Sequence, residues 1–392
     1  MKSGFAHGLA ILLFFLGGVT YPLYRNTAVV VLLLFLAVVY GSLWHARARW
    51  LDALEAQLHR RRAVRKYFLA LGSIVILWGG AEYVARFLVQ TGLVEIYSPM
   101  ETQLPEGAED WRLAHITADA FREPDPVLWW RPVDRAPYNA QRMKGPVVSE
   151  HKPPGVFRIL CYGDSNTDGP DHGGWPERLA SLLQESAGDT VYEVVNAGVA
   201  GYSSHQGLLR FQRQVARFRP DLVLVSFGWN DLATALGASD ATFQPPPPVL
   251  VAVERFLLNY RFYLVLKRYI VPQRPAVSVG NRVPLDDYLA NMDAFGDVAS
   301  AHGVKLVYLT RPYQEKTEAM RQIQNNWRAD VPRYNDELVR FAAERNAFVI
   351  DVQQVFEDQF PNDFIDESHF TPKGHQRMAE LLVERLMSEG QL

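Results

Sequence analysis

One cysteine, Cys161, is all that the 392 residues contain. A disulfide framework needs pairs of cysteines and a thiolate metal cage needs several, so both are excluded. Cys161 itself stands in an apolar run, where a lone thiol serves as a small buried hydrophobe. Charge of one sign is equally scarce. A formal net charge of -3 and an isoelectric point near 6.4 give no bulk attraction to nucleic acid, and none is expected as a partner. Histidines do not gather at metal-ligand spacing. His375 lies six residues beyond His369 with no further ligands beside them, so no metal and no cofactor is expected. A small-residue cleavage site is also missing after the first apolar run, which speaks against a removable signal peptide.

Long apolar stretches, by contrast, fill the first ninety residues. Residues 5–24 and 27–44 each have roughly the length that crosses a bilayer. Residues 67–89 form a third such segment, in which Glu82 and Arg86 stand four apart and can pair on one helix face near the interface. Between the second and third lie Arg47, Arg49, Arg60, Arg61, Arg62, Arg65 and Lys66 against Asp52 and Glu55. By the positive-inside rule this loop stays cytoplasmic. Three spans then deliver everything after residue 90 to the periplasmic or extracytoplasmic side of an inner or plasma membrane.

The remainder alternates like a water-soluble enzyme. Residues 91–155, with Glu123-Pro124-Asp125-Pro126 and Lys152-Pro153-Pro154-Gly155 as breakers, read as a linker and pre-domain segment. Trp129 and Trp130 are expected to pack this segment onto the domain, although paired indoles also stack on sugars. From Val156 onward, strands at 156–163, 191–195, 221–227, 305–309 and 347–350 alternate with helices. The fold class is therefore α/β, a three-layer arrangement with a five-stranded parallel doubly wound sheet whose ligand site lies at the carboxyl ends of the strands. An insert at about 231–280 interrupts the alternation. Residues 249–271 within it read as one helix rich in Phe, Leu and Tyr, suited to a lid, a substrate wall or a membrane-surface contact.

Glycine-bearing turns follow the strands. Gly163-Asp164-Ser165 ends the first, Asn196-Ala197-Gly198-Val199-Ala200-Gly201 the second and Gly228-Trp229-Asn230-Asp231 the third. Asp366-Glu367-Ser368-His369 precedes the last helix, which Thr371-Pro372 opens with a cap residue and a proline. A carboxylate three residues before a histidine can hold one imidazole nitrogen while the other faces a serine, the division of labour in a Ser-His-Asp triad. Asp351 is assigned to structure, Asn166 and Asp168 to shaping the serine turn, and Asp231 is left open between starting the next segment and touching substrate.

These four blocks, in this order, resemble the SGNH or GDSL hydrolases, esterases and lipases that act without a metal. The likeness covers about residues 120–390. It implies Ser165 as nucleophile, His369 as base and Asp366 as its partner, with the Ser165 amide, Gly201 and Asn230 as oxyanion donors. It further implies hydrolysis of an ester substrate, an acylated glycan or lipid, through an acyl-enzyme. An O-acyltransferase would use the same triad, and a non-catalytic glycan-binding or assembly module is the alternative outside enzymology.

Overall fold

The computed structural model describes residues 62–94, 121–186, 190–269, 278–314 and 330–392, together with Arg112, His115, Ile116 and Gly188. The apolar runs at 5–24 and 27–44 lie outside the described residues. The chain divides into two compact units: the described part of Met1–Ala108 with Ala252–Pro275, and Glu109–Val251 with Ala276–Leu392.

In the first unit, α1 (Arg62–Gln90) contains an apolar stretch of 24 residues, Tyr67–Gln90, long enough to cross a membrane. Its side chains are largely exposed, among them Phe68, Leu71, Ile74, Val75 and Ile76. Glu82 and Arg86 pair at 2.7 Å as their spacing predicts. Ala85, Leu88 and Val94 pack with Val265, while Trp78 sets its edge against Tyr260 and Phe262. Residues 252–275 thus group with this helix, whereas the sequence places them in the catalytic domain. The single helix expected over 249–271 is two helices, α5 (Pro248–Leu257) and α6 (Arg261–Tyr269). The break between them is closed by backbone bonds from Asn259 and Tyr260 to Phe256 and Leu257.

The second unit is built on a five-stranded sheet. Following a two-stranded hairpin, β1 (Arg122–Asp125) and β2 (Trp129–Pro132), come β3 (Val156–Gly163), β4 (Val191–Asn196), β5 (Leu222–Ser226), β8 (Lys305–Leu309) and β9 (Phe348–Ile350). Their spatial order is β4-β3-β5-β8-β9, and every pairing is parallel. The order reverses beside β3, and such a switch point opens a crevice at the carboxyl ends of the strands.

Alternation along the strands explains the three layers. Ile159, Cys161, Leu222, Leu224, Val307 and Leu309 face one side, where they meet α3 (Trp175–Ser186), α9 (Val352–Gln359) and α10 (Pro372–Ser388) through Leu179, Phe356 and Leu382. Leu160, Tyr162, Val223, Val225 and Tyr308 face the other, against α4 (Ser204–Phe218), α7 (Leu285–Ala301) and α8 (Val331–Glu344) through Phe211, Phe295 and Leu338. Both faces are covered, so the strands read as continuous apolar runs. Cys161 is fully buried, and burial pushes its thiol well above its ordinary range. A short hairpin that the sequence does not announce, β6 (Thr234–Leu236) against β7 (Ser278–Asn281), closes the neck of the insert.

Candidate active site

Ser165 opens a single helical turn, α2 (Ser165–Asp168), directly after β3. Asp164 caps that turn by accepting the Asn166 N–H, and Gly163 is required just before it. A Cβ there would fall 2.1 Å from the Thr167 hydroxyl oxygen and 2.8 Å from the Ser226 carbonyl oxygen. The last helix, α10, begins as its sequence predicts, with the Thr371 hydroxyl accepting the Gly374 N–H at 3.0 Å and Pro372 in the first turn. The residues before it form a tight loop, closed by the bridge between Phe364 and Phe370 and by the Ile365 N–H bonded to the His369 carbonyl.

Those two turns bring Ser165, His369 and Asp366 together. The Ser165 Oγ lies 2.8 Å from His369 Nε2, and His369 Nδ1 lies 2.7 Å from Asp366 Oδ2. The other carboxylate oxygen of Asp366 accepts the Ser368 and His369 N–H groups, each at 2.8 Å. Burial alone pushes this carboxyl upward. The hydrogen bond and charge of His369, with the two backbone donors, outweigh it and hold Asp366 well below the usual carboxylate range. An ionised Asp366 fixes the proton on Nδ1, which leaves Nε2 free to accept from the serine hydroxyl.

Two cross-links join the serine turn to the histidine turn. Asn166 Oδ1 accepts the Phe370 N–H at 3.1 Å. Arg311, just beyond β8, reaches Asp164 with Nε at 2.9 Å and the Ser368 carbonyl with Nη1 at 3.0 Å. Both members of the Arg311–Asp164 pair are about 1% exposed. The Arg311 backbone is itself gripped by Asn335, whose side chain accepts its N–H and donates to its carbonyl. Sequence reasoning misses Arg311 entirely, because it belongs to no glycine-bearing turn and lies far along the chain from its partners.

Gly201 and Asn230 adjoin this pair of turns through their neighbours. The Val199 N–H donates to the Gly163 carbonyl at 3.0 Å, and the Ala200 N–H donates to Asp168 Oδ2 at 3.3 Å. Asp168 is held in turn by Tyr138, Arg122 and Lys144, so its role is to lock the serine turn against the Gly201 turn. Gly201 has φ +82, and a Cβ there would meet the His115 imidazole at 2.5 Å. Asn230 is buried, and its amide donates to the Tyr202 carbonyl at 3.0 Å. Asp231 is fully buried and accepts from the Ser204 and Gly228 N–H groups and the Ser204 hydroxyl, so its role is to hold those two turns. Burial pushes its carboxyl up to about 7. Trp129 and Trp130 are buried against Phe243 and Tyr202 as packing residues. Asp351 caps α9 by accepting from Gln354, and His375, buried against Phe370, is held neutral with its ring pushed down to about 3 by burial and neighbouring cations. No group of three or more His, Cys, Asp or Glu residues able to hold a metal occurs among the described residues.

The sequence profile of the GDSL-like Lipase/Acylhydrolase family matches residues 161–377, more than half of the chain and all four turns. This chain belongs to that family. Among curated relatives, the GDSL-type chain is 34% identical over 77 residues to the arylesterase of Vibrio mimicus, 19% of this chain and 38% of the relative. It is 30% identical over 83 residues to the uncharacterized lipoprotein YqeF of Bacillus subtilis, 20% of this chain and 34% of that protein. The chain thus spans a little over a third of the length of the curated relatives it matches. Among solved structures, the acetylxylan esterase Axe2 of Geobacillus stearothermophilus aligns at 20% identity with a TM-score of 0.39, over 58% of this chain and 93% of that one.

Proposed function

We propose that the protein is a membrane-anchored serine esterase that hydrolyses carboxylic esters through a covalent acyl-enzyme. One observation carries the reading: an unbroken chain of hydrogen bonds runs from the Ser165 hydroxyl through His369 to Asp366. In this reading His369 Nε2 takes the Ser165 proton as Oγ attacks the ester carbonyl, and Asp366 stabilises the imidazolium that forms. The Ser165 and Gly201 N–H groups and the Asn230 amide receive the developing oxyanion. His369 then passes its proton to the departing alcohol, and the bond from the acyl carbon to that alcohol breaks. Water, deprotonated by the same imidazole, attacks the acyl carbon, the bond from that carbon to Ser165 Oγ breaks to release the acid, and the His369 imidazolium returns its proton to Oγ.

Membership of a lipase and acylhydrolase family supports this ester chemistry, as does likeness to a protein named for arylester cleavage. The apolar stretch Tyr67–Gln90 supports anchoring, and the basic loop before it supports an extracytoplasmic catalytic unit near acylated glycans or lipids of the envelope. Ser165→Ala in the full-length chain is expected to lower turnover of a short-chain p-nitrophenyl ester by about a thousandfold or more, with the melting temperature unchanged. Full activity in that variant would remove Ser165 from the mechanism.

A further inference from the structure

The neck of the insert reaches the oxyanion side of the site. Asp240, which follows β6, and Arg282, which follows β7, form a fully buried ion pair with Nη2–Oδ2 at 2.8 Å. Arg112 binds the other carboxylate oxygen at 2.9 Å, and the Ser203 hydroxyl donates to Asp240 at 2.6 Å. Arg282 Nη2 also donates to Gln206 Oε1 at 2.8 Å. Its remaining arm, Nη1, donates to the carbonyl of Gly201 at 2.8 Å.

The peptide groups around Gly201 are held one by one. The N–H groups of Ala197, Gly198, Val199, Ala200 and Tyr202 bond to Cys161 O, Asn196 Oδ1, Gly163 O, Asp168 Oδ2 and Val199 O in turn. The Ala200 carbonyl accepts from the Trp130 indole at 3.3 Å. A trans peptide points its N–H opposite to its carbonyl, so anchoring the Ala200 oxygen aims the Gly201 N–H away from Trp130. Among the described residues, the Gly201 N–H is the one amide of this turn with no acceptor in the protein. Arg282 fixes the peptide on one side of the Gly201 Cα and Trp130 fixes the peptide on the other.

We infer that Arg282 and Trp130 are a pair of positioning residues for the oxyanion hole: Arg282, anchored on Asp240, grips the Gly201 carbonyl and Trp130 grips the Ala200 carbonyl, so the peptides on both sides of the Gly201 Cα are fixed and with them the direction of the Gly201 N–H. The inference rests on the proposed Ser165 chemistry. It makes the neck of the insert part of the apparatus that stabilises the transition state. Arg282 touches the Gly201 carbonyl and not the reacting atoms, so it acts through geometry. Lysine keeps the charge but lacks the planar fork that spans Asp240, Gln206 and Gly201 together.

The test uses the full-length chain in detergent with p-nitrophenyl acetate, comparing wild type with Arg282→Lys, Trp130→Phe and Ser165→Ala. Trp130→Phe removes one hydrogen bond to the neighbouring peptide and leaves no buried charge behind. A misaimed oxyanion donor should lower kcat about tenfold or more in both positioning variants while KM stays within about threefold, since the donor acts on the transition state. Should Arg282→Lys not fold, Trp130→Phe decides alone. Wild-type kcat in the folded positioning variants, or a loss confined to KM or melting temperature, overturns the inference while an inactive Ser165→Ala leaves the nucleophile in place. An active Ser165→Ala instead overturns the proposed function and this inference with it.

Discussion

At the scale of single residues, the two carboxylates near the site are tuned in opposite directions, and the tuning is measurable. Asp366 is held low by His369 and two backbone donors, so it stays ionised through the mildly acidic range, and its folded-state contribution is lost only as pH falls below the ordinary carboxylate range. Asp366→Asn is expected to reduce kcat by about a thousandfold, because the amide no longer holds the proton on Nδ1. Since Asn Oδ1 can still accept from Ser368 and His369, a melting temperature within a few degrees of wild type should accompany the lost activity. Asp231 is raised to about 7 by burial. The folded protein therefore holds a proton between about pH 4 and 7 that the unfolded chain has released, and the stability Asp231 contributes below that window is lost as pH rises through 7. Asp231→Asn cannot ionise, so the stability difference between variant and wild type should shift in favour of the variant between pH 5 and pH 8. A difference independent of pH in thermal unfolding would show that Asp231 is ionised throughout.

Between elements, the site depends on turns that follow separate strands and are sewn together at one sheet edge. The glycine-bearing turns after β3, β4 and β5 are visible in the chain because each needs close approach or a positive φ. Gly163 has a side chain and a carbonyl where its Cβ would be, and Gly201 has φ +82. What joins them is less visible. Arg311 after β8 ties Asp164 to the Ser368 carbonyl, and nothing in the spacing of residue 311 announces it. Arg311→Met strands a buried Asp164 carboxylate and is expected to cost about 3–5 kcal/mol of stability in denaturant titrations. Adding Asp164→Asn should recover part of that loss, because the stranded charge is then gone. Equal losses in the single and double variants would mean that Arg311 stabilises by packing its stem instead.

For the whole molecule, the long apolar helix α1 and the five-stranded sheet belong to different compact units. Residues Ala252–Pro275 of the insert group with the former, and Glu82 accepts the N–H of Phe262 in the insert's second helix. In the proposed arrangement α1 spans the bilayer. The full-length protein should then sediment with membranes, resist extraction by high salt and alkaline carbonate, and be released by detergent. Release by carbonate alone would reduce the apolar helix to a surface contact.

The sequence by itself determined the alternation of strands and helices, the four turn motifs with their order, the cap and proline of the last helix, and the family. Each is a local property, legible because strand periodicity, glycine geometry and helix capping act over a few residues. Only the tertiary structure decided the strand order β4-β3-β5-β8-β9, the break of the insert helix into two and the hairpin at its neck. It also decided the two buried arginines, Arg282 and Arg311, that hold the turns in place. Their partners lie far away in sequence: Gly201 is 81 residues from Arg282, and Asp164 is 147 from Arg311. A buried guanidinium is chosen by the carbonyls and carboxylates that surround it in space, and a linear pattern does not contain that information.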